Sequence, residues 1–72
     1  MVEINGQVYE EGDVVHFERA TLPVNRQRDY EITALVGSEI VTTTTVGDNA
    51  YEHRFSREAA AHIGITHAHR TA

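Results

Sequence analysis

Tight glycine turns recur along this chain, at Asn5-Gly6, Gly12-Asp13, Gly37-Ser38 and Gly47-Asp48-Asn49, and they leave room mainly for short strands. Glycine reaches positive φ without steric cost, and Asn or Asp tolerates it, so each cluster can reverse the chain. The runs between them, 14–20, 30–36, 40–46 and 50–55, are rich in Val, Ile, Thr, Tyr and Phe, residues that suit a pleated, half-buried surface. Short β-prone runs between reversals predict a compact antiparallel β fold. Asn5-Gly6, flanked by 2–4 and 7–9, is the strongest hairpin signal.

Period-two alternation assigns faces to these strands. Val15 and Phe17 oppose His16 and Glu18. Tyr30, Ile32, Ala34 and Val36 oppose Glu31, Thr33 and Leu35. In 40–46, Ile40, Thr42, Thr44 and Val46 share a face, and the run reads as a solvated strand. A flat, uncharged Thr ladder on a sheet edge invites pairing with another chain. Ile40, Thr42, Thr44 and Val46 are therefore candidate protein-contact residues, joined by Leu22 and Val24 from the long connection 21–29. In that connection Pro23 biases Leu22 toward extended backbone, and the polar stretch 25–28 reads as an exposed loop tip. Tyr51, His53 and Phe55 share one face of the following strand.

One short helix is expected over 57–62. Ser56 is a favoured N-cap, Glu58 complements the helix dipole, and Gly64 stands where a C′ glycine belongs. Two turns are too short to stand alone, so Ala60 and Ile63 must dock on the sheet. The reading is one domain over 1–66, five or six strands and a helix, followed by a polar His-containing tail at 67–72.

The stretch Gly6-Gln7-Val8-Tyr9-Glu10-Glu11-Gly12-Asp13-Val14-Val15 resembles the opening of SH3-like small β-barrels. The resemblance covers about fifteen residues and implies a small antiparallel barrel with a binding or assembly role. That pattern occurs in chromatin readers, ribosome-associated modules and connector or head-to-tail proteins of tailed viruses. It carries no functional residue over to this chain. An OB-like barrel or a small β-sandwich are the alternative architectures.

A 72-residue chain without cysteine must stabilise a marginal core with neither disulfides nor thiolate metal sites. Oligomerisation or incorporation into a larger assembly is the plainest remaining device. No apolar run approaches the roughly 20 residues that span a bilayer, and no leader precedes the first strand, so the expected setting is the cytoplasm or a virion assembled there. Net charge is −5, and all six basic residues are arginine. Such a bias fits a GC-rich genome or a salt-adapted proteome. It argues against non-specific nucleic-acid binding, which needs surplus positive charge.

Three chemistries remain. Arg26, Arg28, Arg54 and Arg57, with Tyr30 and Tyr51 as stacking surfaces, could make a local basic patch for nucleic acid. His62, His67 and His69 are close enough to suggest zinc or nickel, but they match no established zinc spacing. Ser38 and Ser56 lack a nucleophile's context, and Glu10, Glu11 and Asp13 read as hydrated turn acids. The domain also offers little space for a small-molecule pocket of roughly 300 Å3. The expected function is thus a non-enzymatic interaction or assembly subunit that binds a protein partner or itself. No cofactor, membrane or small-molecule substrate is expected, and nucleic-acid binding is the alternative.

Overall fold

Asn5 (φ 51°) and Gly6 (φ 81°) are both left-handed, as a type I′ turn requires, and they join β1 (Val2–Ile4) to β2 (Gln7–Tyr9) in a separate two-stranded sheet. In the turns at Gly37 (φ 62°) and Gly47 (φ 64°) only the first central residue is left-handed, the type II′ form. These turns fold β4 (Tyr30–Val36) onto β5 (Glu39–Val46), and β5 onto β6 (Asn49–Ser56). The computed structural model describes residues 1–69. With β3 (Val14–Phe17) and β7 (Ile65–His69) they form a five-stranded antiparallel sheet ordered β6-β5-β4-β3-β7. The protein is mainly β, with one short helix, α1 (Arg57–His62), linking the two edge strands. Among the described residues β6 and β7 do not pair with each other.

The tail expected from residue 67 is displaced. His67 and His69 continue β7, pairing with Val15 and Val14, because β3 needs a second neighbour and a tertiary bond holds His67. Residues 70–72 lie outside the described residues. The long connection is also more ordered than a loop tip. Pro23–Gln27 is a 3-10 helix with proline in its first turn, Arg26 Nε donates to the Ala20 carbonyl at 2.7 Å, and His16 and Asp29 close its base at 2.6 Å.

The core joins both sheets and the helix: Ile4, Tyr9, Val15, Phe17, Tyr30, Ile32, Ile40, Ala60 and Ile65. Ala60 docks as the short helix requires. A register shift between Ile32 and Ala34 inverts the expected faces of late β4. The extra residue at a bulge advances the side-chain alternation by one. Leu35 therefore packs on the core beside Ile40, and Val36 is 54% exposed.

Both ends of α1 are satisfied by side chains. Ser56 Oγ accepts from the Ala59 N–H at 3.1 Å, the expected N-cap. At the other end, Arg19 donates to the carbonyls of Ala61 (2.8 Å), which also accepts the Gly64 N–H at 3.2 Å, and His62 (2.9 Å). Gly64 turns the chain at φ 75°, where an added Cβ would lie 3.4 Å from Arg19 Cγ and its backbone nitrogen. Arg19→Ala is expected to lower stability by about 1–2 kcal/mol, with Arg19→Lys recovering only part because it lacks the forked donor geometry. Urea unfolding of the three proteins checks this, and equal midpoints would refute it.

Candidate protein interface

The threonine strand is interior to the sheet. β5 lies between β4 and β6, and Ile40, Thr42 and Thr44 are buried, Thr42 completely. Their hydroxyls are spent internally: Thr42 Oγ1 donates to the His53 carbonyl at 3.1 Å, and Thr44 Oγ1 to the Asp29 carbonyl at 2.9 Å. These three side chains are thus not the exposed contact surface expected of them. Threonine serves here as a β-branched core residue whose one polar atom finds a carbonyl. Val46 is half-buried near the hairpin end.

The larger sheet has two edge strands, β6 and β7, and β6 is the longer, eight residues against five among the described residues. Seven of its eight residues are exposed, and only Phe55 is half-buried. Val46 and Asn49 close the two-residue turn as a hydrogen-bonded pair, so Ala50, Glu52 and Arg54 aim both N–H and C=O away from β5, and Ser56 its N–H, its carbonyl being held by the first turn of α1. The bond from Thr42 to the His53 carbonyl fits this phase, since His53 faces β5. Cross-strand pairing sets Tyr51, His53 and Phe55 opposite Thr44, Thr42 and Ile40, on the inner face.

Along that face runs an aromatic groove of about 320 Å3, walled by Phe17, Tyr30, His53 and Phe55 and by Leu22 from the long connection. Phe17 packs edge-on to Tyr30 at 5.0 Å between centroids and against Phe55 at 4.6 Å. Leu22 and Val24, both from the expected contact set, are 57% and 56% exposed, and Tyr51 is 48% exposed. A free strand edge beside an apolar groove can take an added strand by main-chain bonds and receive its alternate side chains.

The candidate arginines sit on different elements, Arg26 in the 3-10 helix, Arg28 just after it, Arg54 on β6 and Arg57 in α1. Arg54 lies 3.4 Å from Glu52 and 3.9 Å from Glu39, and Arg26 is bonded to Ala20. Arg28 lines a cleft of about 410 Å3 with Asp29, Glu31, Thr43 and Thr45. Arg57 opens α1. Tyr30 is buried in the core, and Tyr51 stands on β6.

His67 is tied into the fold. Its Nε2 is 3.1 Å from Asp13 Oδ2, and its ring stacks on Tyr9 at 4.2 Å between centroids. Asp13 Oδ2 also accepts the Glu10 N–H at 3.0 Å, so this acid is a buried structural group and not a hydrated one. The sequence reading missed this pair, for which an Asp after a turn glycine and a distant His give no local signal. His62 is exposed at the end of α1, and the His69 side chain lies outside the described residues. No group of three potential metal ligands occurs among the described residues.

The fold also has more concave surface than its size suggests. A cleft of about 480 Å3 opens beside β7 and the β1–β2 hairpin, lined by Tyr9, Arg19, Ile65 and His67. It exists because that hairpin forms its own sheet and does not extend the larger one. No helix among the described residues is long and apolar enough to cross a membrane. Comparison of the chain with known protein families, curated proteins and solved structures finds no match.

Proposed function

We propose that this protein is a non-enzymatic interaction or assembly subunit that engages a protein partner by strand addition at β6. One observation carries the reading: an eight-residue edge strand, exposed on nearly every residue, beside an aromatic groove. Isolated domains commonly shield such edges with proline, bulges, charged side chains or a covering loop, and β6 carries two charges of opposite sign, Glu52 and Arg54. β6 has no proline, and its pairing to β5 runs without a register shift from Asn49 to Ser56. In this reading the two sheets are an SH3-like small barrel left open at β6, an architecture that hosts many binding and assembly roles, virus particles included.

Ala50→Pro removes one outward N–H without touching the β5 ladder, whereas Ala50→Ser retains it. Strand addition predicts that Ala50→Pro weakens association about tenfold or more while Ala50→Ser does not, at unchanged circular dichroism. Native mass and sedimentation measure this. Oligonucleotide binding that is lost in Arg26→Ala/Arg28→Ala, combined with indifference to Ala50→Pro, would overturn the proposal in favour of nucleic acid.

A further inference from the structure

The edge of β6 is complementary to itself. An antiparallel partner must align residues whose main-chain groups face the shared edge, and on β6 these are Ala50, Glu52, Arg54 and Ser56. Only registers that match members of this set with one another are allowed for two copies. Setting His53 opposite His53 of the second copy satisfies the condition, and it places Glu52 against Arg54 and Arg54 against Glu52 on the outer face. On the inner face Tyr51 meets Phe55 twice. Ala50 meets Ser56 at both ends. The adjacent allowed registers are unfavourable, because centring on Glu52 opposes two carboxylates and centring on Arg54 opposes two guanidinium groups.

From this complementarity we infer that β6 is a homotypic interface: two copies join edge to edge in the register centred on His53 and merge their five-stranded sheets into one. The inference rests on the reading of β6 as the interaction edge and names its occupant. Glu52 and Arg54 of each strand would exchange both main-chain bonds and each Ser56 N–H would reach an Ala50 carbonyl, about six hydrogen bonds in all, since the Ser56 carbonyl is taken by the first turn of α1. Tyr51 and Phe55 fall in pairs not hydrogen-bonded across the new ladder, where side chains approach most closely. Tyr51 is 48% exposed in the single chain, so this contact covers a large apolar ring now facing water. Within the chain, Arg54 already lies near Glu52 and Glu39, but all three side chains are at least 49% exposed. Such exposed pairs are weak, so Arg54 is free to turn toward the second copy at little cost.

The charges make the register testable. Glu52→Arg alone puts two arginines on each strand, and Arg54→Glu alone puts two glutamates there; each should raise the dimer dissociation constant roughly 10- to 100-fold. An equimolar mixture of the two single variants should form a heterodimer, since a doubly basic strand meets a doubly acidic one. The reversal Glu52→Arg/Arg54→Glu should restore the homodimer. Damage to the fold would not be rescued by mixing, and circular dichroism of each variant guards the point. Sedimentation velocity and native mass from micromolar to near-millimolar protein read every arm. A dimer indifferent to both single reversals overturns the inferred register. A wild-type monomer throughout overturns the homotypic interface; if a different partner is then lost in Ala50→Pro, the interaction reading survives without it. A monomer with no β6-dependent partner removes both.

Discussion

Asp13→Ala is expected to lower the unfolding free energy by about 3–5 kcal/mol, the usual consequence of leaving one member of a buried polar pair without its partner. Asp13 is 3% exposed, and its carboxylate ties the turn at Glu10 to β7. Its Oδ2 closes the turn at Glu10, and it meets His67 Nε2 on β7. Its backbone N–H donates to the Glu10 carbonyl at 3.1 Å, and its carbonyl accepts the Ile32 N–H at 2.8 Å. Deletion strands a buried N–H and an imidazole together. A domain of this length has roughly 4–10 kcal/mol of stability, so the loss should leave a substantial unfolded fraction. Asp13→Asn, which keeps volume and an acceptor, should lose less. Urea denaturation followed by far-UV circular dichroism measures both, and a loss under about 1 kcal/mol for Asp13→Ala would show the pair to be incidental.

Phe17→Ala is the second large effect, with an expected cost of about 3–5 kcal/mol from lost burial plus the cavity left behind. Phe17 is 2% exposed, and its ring supports both Tyr30 and Phe55. Phe55 is the one β6 residue that is not exposed, so Phe17 is the core's hold on the β6 edge strand. The variant should therefore raise amide exchange in β6 by more than in β4, which keeps neighbours on both sides. Phe17→Leu should retain most of the stability. Uniform exchange across the sheet would mean that the aromatic cluster does not anchor β6 in particular.

The two effects differ in how visible they are from sequence. Phe17 is legible: it alternates with His16 in a Val-rich run, and period two places it inside. Asp13 is not. An acid after Gly12 suggests a turn, and nothing near it announces that a histidine 54 positions later will bury it. The same contrast holds for the interface. Leu22 and Val24 were legible as exposed apolar residues on the long connection. The threonines were misassigned because their burial depends on which strands flank β5, a non-local choice. Arg19 gave no signal either, since its partners are helix carbonyls more than 40 residues away.

What the sequence determined alone is the local part of this protein. Asn5-Gly6, Gly37 and Gly47 set the reversals because a left-handed φ has few tenants, and Ser56 with Gly64 bounds α1 because its caps lie within a few residues of its ends. Those signals suffice for a mainly β chain with one short helix. The tertiary structure decided which strands became edges, which face of β5 was buried, and that β7 takes in His67 and His69. Each depends on the partner a strand finds, and hydrogen-bonding capacity on a strand's two sides is the same until a neighbour occupies one. β5 found two neighbours and β6 found one, and that difference makes β6 an edge of the sheet.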